Sequence, residues 1–135
     1  MKSLAVNSIM TKDVVCISPE QKIIDVKHIY EKEQFHHHIP VTDNEKLVGM
    51  VSLIDFLYGI KGAGLDETNA VYNELTVADI MTPNPYQLPS SATVQEVAQE
   101  LARGHIHAIP IVEGKKVVGI VSTADVIRFC LDQKS

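Results

Sequence analysis

Hydrophobic positions along this chain follow the same order of patterns twice, and the first occurrence lies within residues 4–60. Apolar residues at helical spacing over 23–30 predict an amphipathic helix. Apolar runs at 39–41 and 47–51, separated by polar turn residues, predict the two strands of a hairpin. The other predicted elements of this half are a lead-in helix at 4–10, a buried strand at 14–17 and a helix at 52–58.

The second half repeats this order after a connection that contains several glycines. Thr93 and Glu96 form a capping-box pattern at the start of its long helix, and Gly104 is expected to end that helix. Residues 66–75 are expected to form either a short helix or a loop. The other predicted elements are a lead-in helix from 76, strands at 86–88, 109–112 and 117–121, and a last helix at 123–131.

The repetition is also visible residue by residue. Residues 49–55 (GMVSLID) correspond to residues 119–125 (GIVSTAD) at an offset of 70 (119 − 49), and 8–11 correspond to 79–82 at an offset of 71 (79 − 8). Repeats of roughly sixty residues bury little apolar surface alone, so the two are expected to share one core. We assign residues 1–64 to the first repeat, 65–75 to a linker and 76–135 to the second repeat.

Each repeat places a Ser-x-x-Asp pattern directly after an apolar strand, as Ser52 with Asp55 and as Ser122 with Asp125. In one interpretation, each Ser caps the following helix and each Asp complements the helix dipole. In the other, the helix amides and the Ser hydroxyl bind an anion, while the acceptor-only carboxylate binds the two hydroxyls of a ribose. The local pattern is compatible with both.

Histidines precede the Ile-Pro pair of each repeat, at 36–38 in the first and at 105 and 107 in the second. A metal site is disfavoured, because consecutive residues of an extended strand point to opposite faces and no cluster of cysteines or carboxylates stands beside them. Solvated loop histidines are the alternative to a role in binding a ligand.

Composition and charge narrow the classes of function. The chain has 135 residues, is 45% hydrophobic and carries a formal charge of −5, so we expect one compact domain without a basic nucleic-acid-binding surface. No apolar stretch has the length of a signal peptide or a membrane span. Cys16 and Cys130 lie in apolar segments, which predicts buried free thiols and a reducing cytosol. No Gly-rich phosphate loop, nucleophile–base pattern or metal-ligand motif indicates an enzyme.

The ordered set of patterns resembles the CBS motif, the regulatory repeat named after cystathionine β-synthase, and the tandem resembles a Bateman module. Its signature here is Met-Thr, a strand, a helix, Ile-Pro-Val or Ile-Pro-Ile, a hairpin and Gly-apolar-Val-Ser-x-x-Asp, over about residues 5–131. The resemblance implies an α+β (mixed α/β) fold, in which two CBS repeats form one pseudo-two-fold module. Each repeat is then a small sheet packed with helices.

The resemblance also implies roles for individual residues. Asp55 and Asp125 are expected to bind ribose. The residues expected near phosphate are Ser52, Ser122, His37, His38 and His107. Weaker assignments to the base pocket or its edge are Thr11, Val15, Ile39, Pro40, Thr82, Tyr86, Ile109 and Pro110. Many relatives carry Arg at the position of His38 and Ala108, and its absence argues against tight triphosphate binding.

The resemblance, together with the missing enzyme motifs and the cysteines described above, leads us to expect a non-catalytic cytoplasmic sensor with no required cofactor. Its ligand is an adenine nucleotide (AMP, ADP or ATP) or another adenosyl compound such as S-adenosylmethionine or NAD, bound in clefts between the repeats. A homodimer and an effector protein are the expected partners, without nucleic acid or membrane. The main alternative is a ligand-free structural dimer or protein-interaction module. An inserted regulatory part of an enzyme such as an IMP dehydrogenase is disfavoured by the extent of the chain.

Overall fold

The computed structural model describes residues 3–32 and 37–133, and its helices and strands follow the predicted order. A 3-10 turn at Val6–Ser8 stands in place of the lead-in helix of the first repeat. The elements that follow it are α1 (Ile23–Tyr30), β1 (His38–Asp43), β2 (Lys46–Ser52), α2 (Leu53–Ile60) and α3 (Val71–Glu74). The second repeat contributes α4 (Val77–Ile80), β3 (Thr82–Pro83), β4 (Leu88–Pro89), α5 (Val94–Ala102), β5 (Ala108–Glu113), β6 (Lys116–Ser122) and α6 (Thr123–Asp132).

The two predicted hairpins have the same antiparallel register. His38 pairs with Ser52 in the β1–β2 hairpin, and Ala108 pairs with Ser122 in the β5–β6 hairpin, 70 residues later (108 − 38). The first hairpin turns through Asn44 and Glu45, which both have positive φ angles (50° and 68°), as a tight two-residue hairpin loop requires. The mixed helix-and-sheet fold class is thus confirmed.

The chain folds into two compact units that differ from the two sequence repeats. The first unit is Val15–Pro85, and the second unit combines Met1–Val14 with Tyr86–Ser135. In the first unit, β3 from the start of the second repeat pairs with β2, so that Thr82 stands opposite Met50. In the second unit, Thr11 pairs with Ile120 of β6. Each unit therefore takes its lead-in segment from the other repeat.

Each unit has its own cluster of buried apolar residues, which differs from the single shared core expected from repeat size. In the first unit, the ring of Phe56 packs edge-on against Tyr30, with ring centroids 5.6 Å apart. In the second unit, Val6 of the lead-in segment joins Val97 of α5 and Val121 of β6. The lead-in segment supplies apolar surface that completes the core of this unit.

The prediction of a buried strand at 14–17 and the prediction that both cysteines are buried are wrong. Only Ile17 of the segment 14–17 is buried, where it bridges to Val41, and Cys16 is exposed. Successive side chains of an extended segment point to opposite sides, so a segment at the edge of a sheet buries only part of its residues. Cys130 is exposed as well, since it lies in α6, which has no buried residues. Of the expected strand at 86–88, only Leu88 lies in a strand, β4, which pairs in parallel with β5.

Among the described residues, no helix combines the length and the apolar character needed to cross a membrane.

Candidate functional site

Each Ser-x-x-Asp pattern forms a complete capping box at the start of a helix. At α2, the Ser52 hydroxyl accepts from the Asp55 amide at 3.0 Å, and the Ser52 amide donates to Asp55 Oδ2 at 2.9 Å. At α6, the corresponding distances between Ser122 and Asp125 are 3.2 Å and 2.8 Å. The capping interpretation is confirmed, and it has a second consequence. The reciprocal bonds hold each carboxylate in a fixed place beside a helix N-terminus, where the dipole favours negative charge.

The histidines that match between the repeats lie beside these two helix starts. The first amide of α2, that of Leu53, donates to the carbonyl of His37 at 3.0 Å, and the Thr123 amide of α6 donates to the carbonyl of His107 at the same distance. Both side chains are exposed, whereas His38 is half-buried in β1. His36 lies outside the described residues. In each unit, the structure therefore brings one predicted phosphate-binding histidine next to the capping box.

A threonine from the other repeat joins each group. Thr82 Oγ1 donates to Asp55 Oδ2 at 3.5 Å, although the two residues are 27 positions apart. In the second unit, Thr11 exchanges backbone hydrogen bonds with Ile120 at 2.9 and 3.0 Å, two residues before Ser122. We call Ser52, Asp55, His37 and Thr82 the Asp55 site, and Ser122, Asp125, His107 and Thr11 the Asp125 site. Thr11 and Thr82 thus belong to the unit of the opposite repeat, which the sequence did not indicate.

The other weakly assigned residues have diverse environments. Ile39 and Ile109 are fully buried in the cores of their units, and Pro40 and Pro110 beside them are buried as well. Val15 is half-buried, and Tyr86 is exposed. The burial of the two Ile-Pro pairs shows what these residues do for the fold. They hold the strand that follows each histidine segment inside the core.

One charged residue at the Asp125 site was missed by the sequence analysis. Arg128 Nη2 donates to Asp125 Oδ1, so both carboxylate oxygens of Asp125 accept a hydrogen bond. The i,i+3 spacing of Asp125 and Arg128 on a helix was the available signal. The corresponding residue of α2, 70 positions earlier (128 − 70), is Tyr58, whose side chain is largely exposed.

A groove of about 340 Å³ adjoins Asp55 in the first unit. A hydrogen bond from the Thr76 amide lowers the pKa of the Asp79 carboxyl, so this group is negatively charged at neutral pH. The groove thus has two carboxylates on its wall and one ammonium group. The lining residues are Asp55, Tyr58, Gly59, Lys61, Leu75, Asp79 and Ile80.

A second polar cluster lies between α1 and the connection before α3. The buried ammonium group of Lys27 donates to Glu31 at 2.7 Å and to Glu67 at 2.6 Å, and His28 Nε2 lies 3.0 Å from Glu67 Oε1. His28, Glu31 and Glu67 lie close enough together to hold a metal ion. The Lys27 ammonium, however, already occupies one oxygen of each glutamate. We interpret the cluster as an ion-pair network that fastens the connection to α1.

The hairpin followed by a capped helix, present once in each unit, and the lead-in segments exchanged between repeats define a tandem of two related α+β repeats. Residues 6–62 and 77–132 match the CBS domain family, and the chain belongs to this family. Proteins made of a CBS pair are generally regulatory modules without catalytic activity.

Three relatives illustrate the similarity. An uncharacterized protein of Methanocaldococcus jannaschii, MJ0188, is 34% identical over 128 residues, which are 93% of this chain and 44% of that protein. The chain therefore spans less than half the length of this relative. CBSX2 of Arabidopsis thaliana, solved in complex with AMP, superposes with a TM-score of 0.79 at 26% identity, over 95% of this chain and 97% of that one.

The third relative is the CBS domain pair of protein MJ0100, solved in complex with 5′-methylthioadenosine and S-adenosyl-L-methionine. It superposes with a TM-score of 0.80 at 26% identity, over 96% of this chain and 98% of that one.

Proposed function

We propose that this protein is a non-catalytic sensor that binds an adenine nucleotide or another adenosyl compound at the Asp55 site, the Asp125 site or both. The observation that carries the proposal is the fixed carboxylate beside a helix N-terminus in each unit, with a histidine and a threonine in the same unit. The relatives CBSX2 and MJ0100 support it, since their structures contain AMP, 5′-methylthioadenosine and S-adenosyl-L-methionine. The ligand acts as a regulator, and no cofactor is required.

The residue types suit the two ends of such a ligand. Asp55 and Asp125 offer acceptors to the ribose diol, because an ionised carboxylate only accepts hydrogen bonds. The hydroxyls of Ser52 and Ser122 and the imidazoles of His37 and His107 offer donors to an anionic group beside the helix N-terminus. His38 is half-buried and therefore less accessible than His37.

A ligand screen tests this function directly. We expect AMP, ADP, ATP, S-adenosylmethionine or NAD to raise the unfolding temperature, because a ligand that binds only the folded state stabilises it by about 2.7 kcal/mol at a hundred times its Kd. Guanosine and cytidine monophosphates are the matched controls, since they share the ribose and the phosphate. An unchanged unfolding temperature with every adenosyl compound contradicts the proposal.

A specific observation favours a second function, that of a protein-interaction module. Several apolar side chains on α2 and α6 are exposed, which is typical of helix faces that bind another protein. We propose that these faces form a homodimer and that an effector protein reads the state of the module. The exposed residues are Ile54, Leu57 and Tyr58 on α2 and Ile127 and Leu131 on α6.

We further propose that the protein works in the cytoplasm. Cys16 and Cys130 are both exposed thiols, and a reducing compartment keeps exposed thiols reduced. An observed intermolecular disulfide in protein isolated under native redox conditions would contradict this placement.

A further inference from the structure

The two sites have the same capping-box geometry but differ in the charged side chains beside it. At the Asp125 site, the guanidinium of Arg128 lies against the Asp125 carboxylate. At the Asp55 site, Tyr58 takes the position of Arg128, and the lead-in segment adds the ionised Asp79 on the groove beside Asp55. The residue that corresponds to Asp79 in the other lead-in segment, 71 positions earlier (79 − 71), is the neutral Ser8.

Other charged groups of the two units reduce this difference. In the first unit, Lys22 interacts electrostatically with Asp79, and Lys61 lines the groove six residues after Asp55 (61 − 55), which is about 9 Å along a helix. In the second unit, Lys12 and Asp13 follow Thr11 and offset each other. The carbonyls of His37 and His107 accept matching hydrogen bonds from the first amides of α2 and α6. Only at the Asp125 site does a guanidinium contact the carboxylate itself, among the described residues.

The carboxylates of Asp55 and Asp125 also differ in how many of their oxygens already accept a hydrogen bond. Asp55 Oδ2 accepts from the Ser52 amide and from Thr82 Oγ1, and no described residue is seen to donate to its Oδ1. Both oxygens of Asp125 accept a hydrogen bond, one from the Ser122 amide and one from Arg128. A neutral ribose diol therefore meets an available acceptor at Asp55, whereas at Asp125 it shares the carboxylate with a cation.

We propose that the two sites select adenosyl ligands of different charge. The Asp125 site takes adenosine that carries a phosphate, because the Arg128 guanidinium, next to the diol acceptor, forms charge-assisted hydrogen bonds with phosphate oxygens. The Asp55 site takes an adenosyl compound without phosphate, because the uncharged Tyr58 stands there in place of Arg128 and Asp79 adds a second carboxylate to the groove. This inference rests on the proposed function and goes beyond it by assigning a ligand class to each site.

Calorimetric titrations with AMP and adenosine at pH 8 test the proposal, since the two compounds differ only by the phosphate. The Asp55→Ala protein reports the Asp125 site, and the Asp125→Ala protein reports the Asp55 site. At the Asp125 site, we expect AMP to bind more tightly than adenosine by about threefold to tenfold, the range of an exposed charge-assisted contact. At the Asp55 site, we expect AMP to bind no more tightly than adenosine.

Exchanging the two corresponding residues should exchange the preference. Adding Arg128→Tyr to the Asp55→Ala protein should bring the affinity ratio of AMP to adenosine close to one. Adding Tyr58→Arg to the Asp125→Ala protein should raise that ratio by about threefold or more. Arg103→Tyr is the matched control, because it removes an exposed, ion-paired arginine from the second unit without touching the site, and the ratio should stay unchanged.

Several results overturn the inference. The inference is contradicted if the ratio of the affinities for AMP and adenosine is the same at both sites. It is also contradicted if Arg128→Tyr leaves this ratio unchanged at the Asp125 site. If Arg128→Tyr tightens the binding of AMP and adenosine equally, Arg128 only masks the carboxylate and selects nothing. If neither compound binds to the wild-type protein while another adenosyl compound raises its unfolding temperature, this inference fails and the proposed function stands. Binding of AMP and adenosine without discrimination likewise overturns the inference alone.

Discussion

The sulfur of Met10 lies so close to Gly119 that a Cβ atom on this glycine would be 2.4 Å from it. Gly49 has the same relationship to the sulfur of Met81, at the same 2.4 Å. Each methionine belongs to the lead-in segment that its unit takes from the other repeat. The glycine before each Ser-x-x-Asp pattern is therefore the place where the exchanged segment approaches the hairpin strand.

We expect Gly119→Ala and Gly49→Ala each to lower the free energy of unfolding by about 1–3 kcal/mol, the usual cost of overpacking a closely packed contact. Urea denaturation measures the change. The control is a double-mutant cycle, because Gly119→Ala should cost less in a Met10→Ala background, where the clashing sulfur is removed. An equal cost in both backgrounds would show that the methionine contact is not the cause.

Asp125→Ala and Asp55→Ala should each weaken adenosyl binding at their own site about tenfold or more, since a hydrogen bond to a charged group contributes about 1.5–3 kcal/mol. Either substitution also removes half of a capping box. Glu96→Ala is the matched control for Asp125, because it removes the same kind of cap from α5 in the same unit. Calorimetry should show normal binding for this control. Normal binding by both Asp variants would show that the Ser-x-x-Asp pattern only caps the helix and does not bind a ligand.

The ion pair between Lys27 and Glu67 should make the stability of the protein pH-dependent in acid. The hydrogen bond from Lys27 lowers the pKa of the Glu67 carboxyl from its ordinary value of 4.5. A lowered pKa in the folded state stabilises the fold above pH 4.5, and this contribution is lost as the pH falls through the folded-state value. Glu67→Gln should therefore destabilise the protein at pH 7, and this effect should shrink as the pH falls below 4.5.

Thermal unfolding between pH 3 and 7 checks this prediction. Glu20→Gln is the control, since Glu20 is exposed in the same unit and its substitution should leave the pH dependence unchanged. A Glu67→Gln protein that differs equally from the wild type at every pH would show that its effect does not come from the ion pair.

His107 should take up a proton when the Asp125 site binds a phosphate. An anion favours the charged imidazole, so affinity for the anion should fall as the pH rises. The second ionisation of a monophosphate, near pH 6, opposes this trend, because the phosphate gains charge over the same range. We therefore compare the wild type with His107→Gln, which keeps a donor but does not titrate. Calorimetry in two buffers of different ionisation enthalpy counts the protons taken up on binding. Equal uptake by both proteins would exclude His107 as the group that is protonated.

The exposed apolar faces of α2 and α6 should bring two copies of the chain together. Light scattering at tens of micromolar should give about twice the chain's 14.9 kDa. Leu57→Lys and Ile127→Lys, which occupy corresponding positions 70 residues apart (127 − 57), should shift the mass toward the monomer. Leu65→Lys is the control, because Leu65 is exposed outside these helices. A wild-type monomer at this concentration would contradict the prediction.

The sequence by itself determined the features that depend on neighbours within a few positions. The capping boxes of Ser52 with Asp55 and of Thr93 with Glu96 join residues three positions apart, so composition and spacing predicted them correctly. The hairpins were predicted for the same reason, since the turn residues and the flanking apolar runs are adjacent in the chain. The family resemblance followed from the order of these local features.

Only the tertiary structure decided which distant residues share a site. Thr82 reaches Asp55 across 27 positions because the lead-in segment of one repeat packs in the unit of the other, and no local pattern encodes that exchange. The tertiary structure also determined which apolar residues are buried. Ile39 is enclosed by its unit, while Cys16 and Cys130 remain exposed. An apolar residue is buried only where another element covers it, and covering elements come from parts of the chain that periodicity does not connect.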